Sequence, residues 1–176
     1  KDLCMIDRLG ELLDIGLNSY KIEGRAKTFY YAAVITGAYR RALDYLLAHP
    51  HAAVPAEIAD EVNKVSHREY GYGFYDGRCD LQHREDSAYL RDYDICAVVE
   101  QCDALGHAVL SLRNKCAVGE RAELVSPDEA ATPFTLEAFY AEDGTELDVA
   151  AHPMMRFQTR LPRYAAPFSL IRKKNQ

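Results

Sequence analysis

The sequence predicts an α+β protein in which alternating helices and strands come first and a small antiparallel β domain follows. Two observations predict this order. The first half places apolar residues at helical spacing around one strand-like run. From about Tyr89 the sequence changes to short alternating runs separated by turns. The chain has 176 residues and is 48% apolar, which is enough to build a core.

The first predicted elements are a helix, a strand and a second helix. Residues 7–16 predict a short amphipathic helix that Asp7 caps and a glycine ends. Residues 17–22, LNSYKI, predict a strand, and the helix after it is capped by Thr28 and runs to about Ala48. Two such units leave strand edges and apolar faces open, so we expect the chain to belong to a longer protein.

The remaining elements are one more helix, a loop and a set of strands. Residues 54–66 predict a short helix, and residues 67–80, rich in Gly and Tyr, predict an ordered loop. Five or six short strands then predict a small antiparallel barrel or sandwich. Turns are expected at residues 103–106 and 143–144.

Charge is distributed unevenly along the chain. Residues 76–152 carry 6 basic and 17 acidic side chains, whereas the last 24 residues carry 6 basic side chains and no acidic one. Such a tail can bind an anionic partner, or it can pair with the acidic middle of its own chain, which is the interpretation we favour. The six basic residues are Arg156, Arg160, Arg163, Arg172, Lys173 and Lys174.

The composition also indicates the cellular compartment of the protein. No apolar run is long enough to cross a membrane, and the chain does not open like a signal peptide. Five cysteines without regular spacing favour reduced thiols over a disulfide framework. We therefore expect a cytoplasmic protein without a membrane partner.

Several short motifs resemble one known family. KDLC at the start, KIEGR before the long helix, and KVSHR with GFYDG after it are similar to the C-terminal part of peptidase family U32. The β-rich remainder, with RNKCAVGERAELVSP and EDGTELDVA, resembles the C-terminal β-barrel domain of that family. The resemblance implies three parts: the last βα units of a TIM-like barrel in residues 1–50, a linker in 51–88, and a small antiparallel β-barrel with a basic tail in 89–176.

The resemblance implies two alternative activities for the longer protein. The family name indicates a protease or collagenase, whereas other members are oxygen-independent hydroxylases of a tRNA wobble uridine, a ribosomal RNA cytidine or ubiquinone precursors. The appended barrel resembles the RNA-modifying members, so we expect tRNA hydroxylation by the longer protein and no catalysis by this part alone. A third alternative is a β-barrel module that binds RNA or protein without chemistry.

The resemblance places the KIEGR motif at the rim of the barrel. Strand ends and the loops after them face the active site in such barrels. Lys21, Glu23 and Arg25 would then be catalytic residues that bind an anionic group or position a carboxylate. The alternative is a rim of structural ion pairs around Gly24.

Cys4 is the candidate metal ligand. The resemblance matches it to the fourth cysteine of a 4Fe-4S cluster, whose other three cysteines belong to a motif that this sequence does not contain. One thiolate does not hold such a cluster, so we expect no cofactor in this part by itself. Read without the resemblance, Cys4 is a buried small apolar residue.

The other cysteines predict no site. Cys79, Cys96, Cys102 and Cys116 lack the paired spacing of zinc knuckles. A nucleophile made of Cys79 with His67 or His83 is conceivable, but no local motif supports it.

His67, Arg68 and Tyr70 are the candidate substrate-binding residues. With Tyr72, they could bind a phosphate or stack on a base near the barrel mouth. Alternatively, they fix the linker through hydrogen bonds and cation-π contacts, which we favour. The expected partners are tRNA or another RNA, and a second copy of the chain, because open strand edges predict a homodimer through residues 1–48.

Overall fold

The protein forms two compact units. The structure, a computed structural model, describes residues 1–77, 88–127 and 129–175. The first unit spans Lys1–Asp92 and is mainly helical, and the second spans Tyr93–Gln176 and is built from antiparallel strands. The expected boundaries at residues 50 and 88 stay predictions.

The first unit contains one long helix and several short elements. Its strands pair with each other in parallel. In chain order the elements are β1 (Asp2–Leu3), a 3-10 turn (Ile6–Arg8), α1 (Leu9–Asp14), α2 (Phe29–Ala48), α3 (Ala56–Ala59), a second 3-10 turn (Asp60–Lys64) and β2 (Tyr70–Gly71).

Helix α2 confirms the predicted cap and end. Thr28 Oγ1 accepts a hydrogen bond from the Tyr31 amide at 3.2 Å, which satisfies one of the free N–H groups of the first turn. The helix ends at Ala48, as predicted, and buries one apolar face: Tyr30, Val34, Ile35, Ala38, Ala42 and Leu46. No helix in the described part of the chain is both long and apolar enough to cross a membrane.

Two local predictions for the first unit are wrong. Residues 17–22 form no strand, because a strand needs a neighbour for its backbone N–H and C=O groups and no described strand lies beside them. Asp7 does not cap α1, since it lies inside the preceding 3-10 turn and makes no capping hydrogen bond there. The end of the helix is as expected, because Gly16 has a φ of 76°.

The described residues of the second unit form ten strands, more than the five or six expected. They are β3 (Tyr93–Cys102), β4 (His107–Leu112), β5 (Cys116–Ala117), β6 (Arg121–Val125), β7 (Thr132–Thr135), β8 (Phe139–Tyr140), β9 (Glu146–Leu147), β10 (Val149–Ala150), β11 (Arg156–Arg160) and β12 (Leu170–Lys174).

Eight of these strands form one curled antiparallel sheet in the order β7-β6-β12-β3-β4-β11-β8-β9. The register shifts at residues 171–172 and 99–101, and such bulges increase the local twist of a sheet. The predicted antiparallel domain is confirmed. Within the described ranges the two edge strands, β7 and β9, do not pair with each other. The sheet is therefore an open half-barrel and not a closed barrel.

Both expected turns are present, and a continuous apolar core packs against the sheet. Gly106 and Gly144 have φ values of 87° and 86°, which a residue with a side chain rarely adopts. One face of the sheet buries a core in which Phe139 and Phe157 meet edge to face, with ring centroids 4.8 Å apart. Leu110, Leu112 and Leu124 are fully buried beside them.

Strand β12 carries a fully buried cation. Arg172 is 0% exposed, and its Nε and Nη2 atoms each lie 2.7 Å from Glu123 Oε2 on the adjacent strand β6. Its guanidinium also lies 5.3 Å from the ring centroid of Tyr93. A buried charge without such partners would cost several kcal/mol, so this ion pair fixes how β12 sits beside β6.

The basic tail is largely paired with the acidic middle of the chain, which confirms the interpretation favoured from the sequence. Four of its six cations form ion pairs within the second unit: Arg156 with Glu100 and Glu142, Arg163 with Glu129, Arg172 with Glu123, and Lys173 with Glu120. The charge asymmetry of the sequence is therefore mainly structural.

The surface of the first unit leaves several large apolar side chains exposed. They include Leu3, Ile15, Phe29, Leu47 and Phe74. The homodimer through residues 1–48 stays a prediction.

The Glu123→Gln variant should destabilise the second unit strongly. Removing the carboxylate leaves the Arg172 charge buried, and we expect a loss of about 3 kcal/mol in the free energy of unfolding. The matched control is Glu142→Gln, which breaks an exposed pair and should cost less than about 1 kcal/mol. Urea unfolding of both variants tests this, and equal losses would contradict it.

Candidate functional site

The candidate site of the first unit surrounds Cys4. Strand β1 positions this residue, since the Cys4 amide donates a hydrogen bond to the Gly71 carbonyl of β2 at 3.1 Å. Helix α2 supplies Tyr39, whose hydroxyl accepts a hydrogen bond from the Met5 amide at 2.9 Å and lies 3.7 Å from Cys4 Sγ. The thiol is buried. We call Cys4, Tyr39 and Tyr70 the thiol cluster.

The groups of the thiol cluster are held in their neutral forms. Burial raises the pKa of the Cys4 thiol above its usual value. Burial also raises the pKa values of the Tyr39 and Tyr70 hydroxyls. A neutral thiol is a weak nucleophile, so Cys4 is not activated for attack in this environment.

A second group of contacts centres on Lys27, just before α2. The Nζ atom of Lys27 is buried, makes no hydrogen bond, and lies 3.5 Å from Asp2 Oδ2. The ring centroids of Tyr31 and Tyr89 lie 5.2 Å and 4.5 Å from the same atom. The ammonium is therefore held by one carboxylate and two aromatic faces, and we call this arrangement the lysine box.

The candidate substrate-binding residues make mainly internal contacts. The His67 ring is buried and stacks on the Tyr70 ring, with centroids 4.1 Å apart. Arg68 donates its backbone N–H to Asp2 Oδ2 at 3.1 Å, and its guanidinium lies 5.1 Å from the Tyr89 centroid. These are the contacts expected if the residues fix the segment after α3. A role in substrate binding stays a prediction.

The KIEGR residues lie in an exposed turn before α2. Lys21 and Glu23 form an ion pair of 3.6 Å between side chains that are 86% and 70% exposed. Glu23 Oε1 accepts a hydrogen bond from the Arg25 amide at 3.0 Å. The structure brings these three residues together, but no contact joins them to the thiol cluster. Their catalytic role stays a prediction.

The described residues do not fit a metal cluster by themselves. Among residues 1–77, 88–127 and 129–175, no three His, Cys, Asp or Glu side chains are grouped so that they could hold a metal ion. Cys4 contributes one thiol, and the Tyr39 hydroxyl beside it is not a usual ligand of an iron-sulfur cluster. Cys79 and His83, a conceivable nucleophile and base, lie outside the described residues.

Sequence reasoning missed the lysine box and Tyr39. Lys27 stands beside a helix cap, where a lysine is ordinarily solvated, and its partners Asp2 and Tyr89 lie far from it along the chain. The signal available was the unusual number of tyrosines, 12 in the chain. That count says nothing about which cation they surround.

The chain is a two-part α+β protein. A mainly helical unit with a buried thiol is followed by an antiparallel β unit. Two family models match this chain. The one described as peptidase family U32 matches residues 1–85, and the one described as the peptidase family U32 C-terminal domain matches residues 91–172. The chain belongs to peptidase family U32.

The curated relatives are longer than this chain. A Bacillus subtilis protein named "tRNA hydroxylation protein P1" is 29% identical over 98% of this chain and 42% of its own length. An Escherichia coli protein named "tRNA hydroxylation protein P" is 29% identical over 85% of this chain and 33% of its own length. An uncharacterized protease of Methanocaldococcus jannaschii is 41% identical over 43% of this chain and 18% of its own length.

Solved structures are also similar to this chain. One of them is the C-terminal domain of a U32 peptidase of Geobacillus thermoleovorans, which is 26% identical, covers 47% of this chain and 93% of its own chain, and has a TM-score of 0.44.

The Lys27→Met variant should destabilise the first unit. Methionine keeps most of the apolar stem but removes the ammonium from the lysine box, and we expect a loss of about 1–2 kcal/mol in the free energy of unfolding. Lys21→Met is the control, because Lys21 is almost fully exposed and should change stability by less than about 0.5 kcal/mol. If thermal or urea unfolding shows no difference between the two variants, the lysine box does not stabilise the unit.

Alkylation should be slow at Cys4. The thiolate is the reactive form, so a raised pKa leaves less of it at any given pH, and the rate should keep increasing with pH beyond the range of an ordinary thiol. Iodoacetamide labelling of the reduced protein, followed by peptide mass spectrometry, compares Cys4 with the partly exposed Cys102. Equal rates at neutral pH would show that burial does not protect Cys4.

Proposed function

We propose that this chain acts as the C-terminal part of a tRNA hydroxylase of family U32, with a wobble uridine as the substrate. The observation that carries the proposal is the alignment with relatives named tRNA hydroxylation proteins, which runs through both units of the chain. The protease relative is matched over less than half of the chain.

The arrangement of the described residues supports a role in positioning the substrate better than it supports a role in the chemical step. Hydroxylation replaces a C–H bond with a C–OH bond, so it requires an oxygen donor and removes two electrons from the base. The Cys4 thiol is neutral and lies within hydrogen-bonding distance of the Tyr39 hydroxyl, and the Tyr70 hydroxyl donates to the Val62 carbonyl. We therefore assign the chemical step to the longer protein. The first unit would supply the last βα units of its TIM-like barrel.

Cys4 is the residue that this chain would contribute to the metal site of the longer protein. In the proposal it contributes one thiolate to a 4Fe-4S cluster whose other ligands lie outside this chain. Its backbone position is set by the pairing of β1 with β2, which would hold the thiol at a defined place beside the cluster.

The protease alternative has less support in the described residues. No described cysteine hydrogen-bonds to a histidine, since the partners of the Cys4, Cys96 and Cys102 thiols are a tyrosine hydroxyl and backbone carbonyls. A nucleophile needs a base within hydrogen-bonding reach.

Deletion of the gene for the longer protein should remove the hydroxyl group from the wobble uridine. Mass spectrometry of nucleosides from purified tRNA measures the loss of one oxygen atom. The wild-type gene should restore the modification and the Cys4→Ser variant should not, whereas the control variant Cys102→Ser should. Unchanged tRNA in the deletion strain would refute the proposal, and loss of a peptidase activity in its place would favour the protease.

A further inference from the structure

One face of the second unit carries two adjoining depressions with a shared cationic wall. The first has a volume of about 430 Å³, and the second has a volume of about 830 Å³. Both are lined by Arg121 at the start of β6 and by Lys173 and Lys174 at the end of β12. These strands are neighbours in the sheet, so the three cations converge at one place. We call this surface the cationic groove.

The cationic groove has uncompensated positive charge. Its two acidic residues are already neutralised, because Glu120 pairs with Lys173 at 2.8 Å and Glu123 pairs with the buried Arg172 at 2.7 Å. Arg121 and Lys174 are exposed and form no ion pair within the described ranges. The surface therefore offers two free cations on a rigid pair of strands.

The groove also offers aromatic and apolar surface. Tyr93, Pro133 and Phe134 line the first depression, and Tyr93 and Phe134 are partly buried. Tyr93 already lies against the Arg172 guanidinium, which fixes its ring. Aromatic faces beside free cations are the combination that binds the sugars, bases and phosphates of a polynucleotide.

Five acidic residues of the second unit lie away from the cationic groove. Glu137, Glu142, Asp143, Glu146 and Asp148 lie on or beside strands β8 and β9, at the opposite end of the strand order from β6 and β7. Although residues 93–176 carry more acidic than basic side chains, the charge is segregated. A polyanion would approach the cationic groove and be repelled from the β8-β9 hairpin.

We infer that the cationic groove binds the phosphate backbone of the tRNA substrate, with Arg121 and Lys174 as the phosphate-contacting residues. The inference rests on the proposed function, from which it takes tRNA as the partner. It assigns the contact to two residues on neighbouring strands, only one of which belongs to the basic tail. Most of that tail is committed to internal ion pairs.

Salt-dependent binding tests the groove directly. The longer protein is titrated with an in vitro transcribed tRNA at several NaCl concentrations, and the slope of log affinity against log salt is measured. Each phosphate contact contributes about one unit of slope. Arg121→Gln and Lys174→Gln should each lower the slope by about one unit and weaken binding, and Arg121→Lys, which keeps the charge, should retain the slope.

The matched control is Arg160→Gln. Arg160 is exposed, belongs to the same unit and forms no ion pair within the described residues, but it does not line the cationic groove. Its variant should keep the wild-type slope. Wild-type slopes for Arg121→Gln and Lys174→Gln, or an equal loss for Arg160→Gln, would overturn the inference. Unfolding curves of the three variants should be the same, since all three side chains are exposed.

The salt-dependent binding experiment tests the cationic groove separately from the proposed function. If the tRNA of the deletion strain keeps its hydroxyl group, hydroxylation is refuted, whereas the salt slopes report on binding alone. If the deletion strain loses the hydroxyl group and the groove variants bind tRNA normally, the function stands and the cationic groove is not its tRNA contact.

Discussion

Each unit of this protein contains a cationic group that is withdrawn from water: the Nζ atom of Lys27 in the first and the whole Arg172 side chain in the second. Lys27 in the first unit lies beside the Asp2 carboxylate and two tyrosine rings, and Arg172 in the second pairs with the Glu123 carboxylate and lies beside the Tyr93 ring. Desolvating a charge costs several kcal/mol unless partners compensate, so each cation constrains the segments that supply its partners. In the first unit these are β1 and the segment around Tyr89, and in the second they are β6 and β12.

The same compensation decides which charges remain available for function. The acidic middle of the chain neutralises most of the basic tail, and this leaves isolated cations such as Arg121 and Lys174 at defined positions. In the sequence the basic tail looks like a segment that binds a polyanion, but most of its cations form ion pairs that stabilise the fold. Binding by such a surface depends on a few placed side chains, because the net charge of the unit is unfavourable for RNA.

The thiol cluster has a different character from an activated catalytic centre. Cys4 is buried, neutral and adjacent to the Tyr39 hydroxyl, which suits a residue that is kept unreactive until another component takes up its thiolate. The short parallel pair β1-β2 fixes its position through backbone hydrogen bonds. This arrangement is the one expected if Cys4 completes a site in a longer protein, as proposed above.

The sequence alone determined the elements whose signals are local: the Thr28 cap, the apolar face of α2, the glycine turns and the antiparallel strands. It also determined the family, because KDLC, KIEGR and KVSHR are contiguous motifs. Only the tertiary structure decided that residues 17–22 have no strand partner, that Arg172 is buried, and that Lys27 meets Asp2, Tyr31 and Tyr89. Strand pairing and charge compensation join residues that are distant along the chain, and spacing within a sequence carries no record of them.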